Sequence, residues 1–425
     1  MNLLLKNTTY VDWKTLDFSR KNIFISKSKD SLQLLSTDNE EVVFPDTEVI
    51  DCKGRMVTKS FAVGHHHAYS ALARGMPAPK KIPRNFLEIL QYIWWTLDKQ
   101  LDPELIELSA LITAMDCARN GSTFVIDHHA SPFAVRSSLD IIAGAFEKVG
   151  LSHLLCYEIS DRDGSVIAAE GIDETDSFLN ENQGLVGLHA SFTVGDETLR
   201  RAVDLMQKHS SGIHIHVAED QCDQDMCISE HRKRVVERLG DSGVLASSKT
   251  ILVHCLHLDD SERELICNSP VWVSENCESN LNNNVGHFTG AGLGENIMLG
   301  TDGMHSDMLQ SLRAAFFAGQ PHDTISYDSA YRRLRNVHRY LAENSFAGDE
   351  ENNLVVLDYD PPTPVTRDNF IGHLLFGISS AHVRDVISGG RLIVHNRRIV
   401  TVDEHEIKRE SRKQAERLWK QISHL

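Results

Sequence analysis

The triplet His65-His66-His67 closes an apolar run that begins at Met56. If this run is a β-strand, successive side chains alternate between its two faces, so His65 and His67 point into one cavity and His66 points the other way. Two imidazoles on one face at the end of a strand make half of a metal site. A surface histidine cluster or an expression tag is the alternative interpretation. The triplet is internal and flanked by apolar residues, which disfavours a tag.

Histidines and acidic residues also follow most of the later apolar runs. They are Asp127, His128, His129, His189, His216, Glu219, His254 and Asp302. One histidine at a strand end is more often structural, but repetition at successive strand ends indicates a shared site. Three imidazoles and a carboxylate suit a divalent cation such as zinc, which lowers the pKa of bound water to about 7. Glu219 is not needed as a ligand and can transfer protons, while His254 and Asp302 can orient the nucleophile and stabilise developing charge.

The elements that must position these residues are strand-like runs that alternate with helical patterns. Helical patterns include Ser131–Gly150, Glu197–His209, Ser229–Leu239 and Asp259–Cys267. The predicted strands are Met56–Gly64, Ser122–Asp127, Leu154–Ile159, Leu185–His189, Ile213–Ala218, Thr250–His254, Pro270–Ser274 and Ile297–Thr301. Their number and spacing predict an α/β fold, a (β/α)8 TIM barrel, in which the active site lies at the C-terminal ends of the strands.

The flanking segments have a different pattern. Short β-like runs separated by polar turns occupy residues 1–56 and return in residues 353–403. We expect these two segments to form one small β-sandwich domain beside a barrel that spans residues 57–352. Residues 404–425 are charged and amphipathic, and they predict a C-terminal helix packed on the outside.

Composition excludes several classes of partner. The 425 residues carry a formal net charge of -17, which argues against nucleic acid or an anionic membrane as a partner. No apolar run is long enough to span a bilayer, and the N-terminus does not have the pattern of a signal peptide. The eight cysteines are scattered and match no metal or redox motif, so we expect free thiols in a reducing cytoplasm.

Several short motifs together resemble one known family. They are Gly64-His65-His66-His67, Leu72-Ala73-Arg74-Gly75, Gly187-Leu188-His189-Ala190, His214-Ile215-His216-Val217-Ala218-Glu219, Val253-His254-Cys255, Glu278-Ser279-Asn280 and Leu299-Gly300-Thr301-Asp302-Gly303. The set resembles the amidohydrolase superfamily, in particular its mononuclear-metal deaminase and chlorohydrolase branch, which includes guanine deaminase-like and triazine hydrolase-like enzymes. The resemblance covers nearly the whole chain.

The resemblance implies partners, a cofactor and roles for individual residues. The implied partners are a small-molecule substrate and a second copy of the chain in a homodimer. The dinuclear branch has a lysine after the fourth strand, and here that place holds Leu188-His189, so one divalent metal ion is implied, Zn²⁺ first and Fe²⁺ as the alternative. The implied metal ligands are His65, His67, His216 and Asp302, with Glu219 as proton shuttle, His254 as a catalytic histidine and His189 as a substrate contact.

Further candidate pocket residues come from two stretches of the chain and one loop. The stretches 127–132 and 157–164 look like those of a subgroup of uncharacterised aminohydrolases, some associated with selenium metabolism. His129 and Arg162 in these stretches could line the pocket, as could His305 after the last predicted strand. The alternatives are that His128 and His129 only form hydrogen bonds at the barrel rim and that His305 is a loop residue.

Three functions remain open from the sequence. The first is hydrolytic deamination of a small nitrogen heterocycle such as an aminopurine, an aminopyrimidine or a pterin. The second is hydrolysis of a cyclic amide or a carbon–halogen bond at the same site. The third is a non-catalytic metal-binding relative, because scaffold positions depart from the family pattern at Lys59-Ser60, at Asn276-Cys277 and in the short segment 344–353.

Overall fold

The computed structural model of the protein describes residues 2–26, 32–36 and 46–424. Its strands, numbered along the chain, are β1 (Asn2–Val11), β2 (Phe18–Ile25), β3 (Leu32–Leu35), β4 (Thr47–Asp51), β5 (Met56–Lys59), β6 (Phe61–His66), β7 (Ser122–His129), β8 (Ser152–Tyr157), β9 (Val186–Ala190), β10 (Ile213–Val217), β11 (Ile251–His254), β12 (Trp272–Glu275), β13 (Ile297–Leu299), β14 (Leu354–Leu357), β15 (Val383–Ser388), β16 (Arg391–His395) and β17 (Arg398–Ile399).

The helices alternate with the central strands. They are α1 (Phe86–Ile89), α2 (Trp95–Asp98), α3 (Pro103–Arg119), α4 (Ser138–Val149), α5 (Ser165–Glu181), α6 (Asp196–Lys208), α7 (Gln221–His231), α8 (Val235–Asp241), α9 (Asp260–Cys267), α10 (Cys277–Asn283), α11 (Met308–Gly319), α12 (Tyr327–Glu343), α13 (Phe370–Phe376) and α14 (Glu404–His424). A π-helical turn, Leu90–Trp94, joins α1 to α2. Among the described residues, no helix is long and apolar enough to cross a membrane.

The two ends of the chain meet in one nine-stranded sheet. Strand β14 pairs antiparallel with β5, which pairs in parallel with β1, so the sheet runs from β17 through β14 and β5 to β3, with β4 attached to β1. The predicted strand Met56–Gly64 is therefore two strands, because β5 belongs to this sheet and β6 to the barrel. We propose the same three parts that the sequence predicts: a small β domain, a barrel and a C-terminal helix. The first boundary, between the β domain and the barrel, then lies after Lys59 rather than after residue 56.

Strands β6 to β13 form the barrel. They make two parallel sheets, β6-β7-β8 and β9 to β13 in order. Isolated parallel bridges join the two sheets, at Ile159–Leu188 on one side and His66–Asp302 on the other, so the strands complete a ring. The fold class predicted from the sequence is confirmed, while the predicted helix Ser229–Leu239 is two helices because Arg232 takes a left-handed φ of 58° between α7 and α8.

A β-bulge turns the histidine triplet toward the barrel axis. Ala62 packs with Phe124 and Met298 in the cluster that fills the barrel, so simple alternation would place His65 and His67 on the outer side. Between Val63 and His66 the strand advances three residues while β7 advances two. The extra residue reverses the alternation, a known use of bulges beside active sites.

The end of the barrel away from these histidines is closed by α12 and a buried charge cluster. Lys59 Nζ is 3.0 Å from the Asp349 carboxylate, and His338 lies 2.7 Å from the same side chain. Burial alone would raise the pKa of Asp349, but His338 and Lys59 outweigh it and lower that pKa to about 2. The buried charge of Lys59 thus has a specific partner in Asp349.

Candidate metal centre and active site

The residues at the C-terminal ends of the barrel strands converge on one cavity. His67 Nε2 lies 3.2 Å from His216 Nε2 and 3.3 Å from Asp302 Oδ1. His65 Nε2 lies 3.8 Å from the same carboxylate oxygen. On the other side of Asp302, the His254 Nε2 atom is 3.8 Å from Oδ2 and 3.4 Å from a Glu219 carboxylate oxygen.

Hydrogen bonds at Nδ1 orient two of these imidazoles. His67 Nδ1 is 2.6 Å from the carbonyl of His128, and His216 Nδ1 is 2.8 Å from the carbonyl of His189. Carbonyl oxygens only accept, so each Nδ1 carries the proton and each Nε2 presents a lone pair. The two lone pairs face each other beside the Asp302 carboxylate, an arrangement that a cation stabilises.

A longer hydrogen-bond chain orients His65 in the same way. The Cys156 thiol donates to the Asp127 carbonyl, so its sulfur accepts from His214 Nδ1, 3.5 Å away. His214 Nε2 is then free to accept from His65 Nδ1 at 2.9 Å. This leaves the lone pair of His65 Nε2, which is buried and has no hydrogen-bond partner, directed at the cluster. The donor set therefore fits a divalent cation.

Burial keeps the site in the protonation states that metal binding requires. It lowers the pKa values of His65, His216 and His254, so these imidazoles are neutral at pH 7. Burial would raise the pKa of Asp302, but positive charge on His67 or His254 when either ring is protonated, together with hydrogen bonds from Ser279 and the Gly303 amide, outweighs it and lowers that pKa. Burial and the nearby Asp302 charge raise the pKa of Glu219 well above its ordinary value, which suits a group that carries protons.

The backbone at the strand ends is strained. Ala218, His254 and Asp302 have φ values of 46°, 69° and 49°, in the left-handed region that non-glycine residues rarely adopt. Such residues cost on the order of 1–3 kcal/mol each and cluster at functional sites. These left-handed residues change the direction of the chain at the ends of β10 and β11 and after β13, so that the side chains there face the cavity.

Gly300 allows the last barrel strand to approach the histidines. A Cβ atom there would lie 2.2 Å from Asn276 Oδ1, 2.8 Å from Ser274 Oγ and 2.9 Å from His65 Cβ. No side chain fits these distances, so glycine is required for Asp302 to reach the cluster.

Aromatic side chains form the outer wall of the cavity. Together with the open space at its mouth, the cavity encloses about 620 Å³. Its polar lining includes His189, so the structure brings together seven of the predicted site residues. The apolar lining residues are Tyr69, Phe86, Leu90, Trp94 and Trp95.

Three predicted pocket residues lie elsewhere. His129 Nε2 is 2.9 Å from Ser131 Oγ, and His305 Nε2 is 2.6 Å from Glu278. Arg162 pairs with Asp98 behind the wall, and its guanidinium carbon lies 5.2 Å from the Trp95 ring centre. None of the three is among the residues that line the cavity.

Glu158 lines the cavity and was missed by the sequence reasoning. It follows β8, so it stands at a strand end like the residues that were selected. Burial opposes its ionisation, but the neighbouring His189 and His128 rings and the Arg162 charge outweigh burial and lower the pKa of Glu158 well below its ordinary value. Burial lowers the pKa of His189 to about 4. The contribution of His189 therefore disappears at pH 7, where the Arg162 guanidinium, 3.6 Å away, favours the ionised carboxylate.

Comparison with known proteins identifies the family. The model of the amidohydrolase family matches residues 61–333, more than half of the chain and all eight barrel strands. The chain belongs to the amidohydrolase family. The histidine and carboxylate cluster accordingly lies where this family's fold carries its active site, at the C-terminal ends of the strands.

Individual relatives resemble the chain over most of its length. A 5'-deoxyadenosine deaminase of Methanopyrus kandleri is 27% identical over 83% of this chain and 84% of that enzyme. A 5-methylthioadenosine/S-adenosylhomocysteine deaminase of Thermoanaerobacter pseudethanolicus is 26% identical over 98% of this chain and 99% of that enzyme. The crystal structure of an adenosine deaminase from Xanthomonas campestris with bound zinc has the same fold, with a TM-score of 0.80 at 18% identity and 98% coverage of both chains.

Proposed function

We propose that this amidohydrolase is a metal-dependent deaminase that removes an amino group from a small nitrogen heterocycle by hydrolysis. The observation that carries the proposal is the convergence of the Nε2 lone pairs of His67 and His216 on the Asp302 carboxylate, with Glu219 and His254 beside it. This arrangement combines a cation site with a proton carrier in one cavity, as hydrolysis requires.

In this proposal one divalent ion, Zn²⁺, is held by His65, His67, His216 and Asp302. The zinc-containing crystal structure of similar fold and the neutral imidazoles support this choice. Bound there, the ion would lower the pKa of water to about 7 and so supply the nucleophile at neutral pH.

The chain's own residues carry the protons. Glu219 accepts a proton from the attacking water and gives it to a ring nitrogen. It then takes the proton of the newly added hydroxyl and gives it to the amino group, so that the carbon–nitrogen bond breaks and ammonia leaves. The raised pKa of Glu219 lets it hold the proton between successive transfers. His254 is oriented by Asn280, 2.7 Å from its Nδ1 atom, and lies close enough to Glu219 and Asp302 to stabilise developing charge. The aromatic wall positions the ring and excludes water.

The relatives narrow the proposed substrate to adenosine-like purines. Both relatives described above are named as deaminases of adenosine derivatives. We therefore place an aminopurine or its nucleoside first. We also propose a cytoplasmic location, which the eight free cysteines support, and a homodimer, which rests on family resemblance alone.

Ammonia release from zinc-loaded protein tests the proposal. Adenosine, 5'-deoxyadenosine, guanine and a pterin form the first panel. Glu219→Gln should lower turnover by about 10²- to 10⁴-fold while zinc content and folding stay unchanged. Glu174→Gln is the matched control, because Glu174 is a buried carboxylate bonded to the amides of Ser137 and Leu139 outside the cavity. Unchanged turnover in the Glu219 variant would remove this residue from the mechanism.

A further inference from the structure

One buried carboxylate in the cavity has no part in the proposed reaction. Glu158 Oε2 lies 3.4 Å from His128 Nδ1, and Oε1 lies 3.6 Å from the Arg162 guanidinium. Arg162 pairs in turn with Asp98 and lies 3.5 Å from Asp163, so its charge is shared among three carboxylates. Glu158 nevertheless lines the cavity together with the aromatic wall. An ionised carboxylate offers only acceptors, so the molecule that fills this cavity must present donors to it.

The neighbouring His189 presents a second acceptor. Its Nδ1 atom is 2.7 Å from the Thr193 hydroxyl, whose single proton is donated to the Ala190 carbonyl at 3.1 Å. The hydroxyl oxygen therefore accepts from His189 Nδ1, and Nε2 keeps its lone pair. A ring nitrogen of His189 and a carboxylate oxygen of Glu158 lie within 4.8 Å of each other. Two acceptors thus stand side by side in the cavity.

We propose that Glu158 and His189 form an acceptor pair that binds two neighbouring hydrogen-bond donors of the substrate and so determines its class. The inference rests on the proposed function, since it concerns the substrate of that same cavity. The Trp94, Trp95 and Phe86 rings form the apolar part of the cavity and contact the heterocycle. A ring whose edge carries only acceptors gives the cavity-facing lone pairs of Glu158 and His189 no donor, which is unfavourable in a buried site even though Glu158 keeps its Arg162 partner.

Two chemical groups supply such a donor pair. One is the vicinal diol of a ribose, whose two hydroxyls can both donate to a carboxylate and its neighbour. The other is the N–H edge of an oxopurine ring. Adenosine represents the first group and guanine the second, whereas 2',3'-dideoxyadenosine lacks the diol and keeps the adenine ring.

Ligand binding to the zinc-loaded Glu219→Gln protein tests the pair without turnover. Calorimetry should show that adenosine or guanine binds at least tenfold more tightly than 2',3'-dideoxyadenosine. Adding Glu158→Gln should weaken binding of the donor-bearing ligand by about 10- to 150-fold, the range for losing one hydrogen bond to a charged group. It should not weaken binding of 2',3'-dideoxyadenosine, because that ligand gives the carboxylate no donor to lose. Glu174→Gln in the same background is the control and should change neither affinity.

A second variant keeps the test valid if Glu158→Gln does not fold. Thr193→Val preserves the side-chain shape and removes the hydroxyl that fixes the His189 tautomer. It should weaken donor-bearing ligands by about 2- to 12-fold, as for one neutral hydrogen bond. Equal losses for all ligands would show a merely structural role and overturn the proposal.

The same probes separate this inference from the proposed function. Selective binding without ammonia release by the unsubstituted enzyme would support the acceptor pair and contradict deamination. Ammonia release with equal kcat/KM for adenosine and 2',3'-dideoxyadenosine, and no turnover of guanine, would contradict the acceptor pair and leave deamination intact. Failure of adenosine and guanine to bind would count against the acceptor pair.

Discussion

His214→Leu should weaken zinc binding although His214 is not a proposed ligand. His214 is completely buried, and its Nε2 atom accepts the Nδ1 proton of His65 at 2.9 Å. Leucine fills a similar volume but accepts no hydrogen bond, so the buried His65 Nδ1–H is left unpaired at a cost of about 1–3 kcal/mol. His65 then gains by placing its proton on Nε2, where it blocks the metal. We expect zinc affinity to fall by about 10- to 100-fold, the usual effect of losing such a supporting hydrogen bond.

The matched variant is His214→Gln. The glutamine amide oxygen can take the place of Nε2 and accept from His65, so most of the affinity should return. Zinc affinity is measured by competition with a chromophoric chelator on apo-protein, and circular dichroism and urea unfolding check that each variant is folded.

Two results would refute this reasoning. Zinc affinity within twofold of the parent in folded His214→Leu protein would show that His65 does not depend on the hydrogen-bond chain for its tautomer. Equal losses in the leucine and glutamine variants would show that the acceptor is not the relevant property of His214.

Three further predictions concern the scaffold of the site. His66→Phe removes hydrogen bonds to the segment after β13, so urea unfolding should show about 1–3 kcal/mol less stability. Zinc content, measured by mass spectrometry, should stay near one ion per chain, and metal loss in the folded variant would contradict this expectation. Gly300→Ala places a Cβ atom 2.2 Å from Asn276 Oδ1 and should unfold the protein or abolish zinc binding. Gly144→Ala is the control, because a Cβ atom there meets no atom within 4 Å and the change should be neutral or stabilising. Similar melting temperatures for the two variants would refute the packing argument. Asp349→Asn should lower the free energy of unfolding at pH 7 by about 2 kcal/mol. The lowered pKa of the aspartate stabilises the fold above about pH 4, and this stabilisation is lost as the pH falls through about 2. If the difference in unfolding free energy between the two proteins does not shrink on acidification, the linkage argument is wrong.

The residues around the cation site could be predicted because two simple rules apply to them. Parallel strands in a barrel end on one face, so polar residues after successive strands meet there without knowledge of their contacts. His65, His216 and Asp302 are separated by more than 80 residues in the chain, yet the rule is sufficient to bring them together. The same rule would have selected Glu158, which also follows a strand.

Pocket residues could not be predicted in the same way, because their roles depend on partners distant in sequence. Arg162 faces Asp98, which lies 64 residues earlier, and that pairing directs the guanidinium to the back of the wall. His305 is engaged by Glu278 on α10. The helical spacing around Trp94 and Trp95 predicts a buried face, but it does not show that this face borders the cavity, since that depends on how the π-helical turn docks against the barrel.

The hydrogen bonds that close the barrel also hold the site in its strained form. The amides of Thr301 and Asp302 both donate to the His65 carbonyl, at 2.9 and 3.1 Å, so β6 and the segment after β13 are joined at a proposed metal ligand. Similarly, the amide of Cys255 donates to the Val217 carbonyl at 2.9 Å, next to the left-handed His254. Left-handed residues persist only where surrounding bonds over-determine them. Separation of β6 from β13 would therefore release Asp302 from its strained position and move it away from His65. We expect that a variant in which these two strands separate also loses the capacity to bind metal.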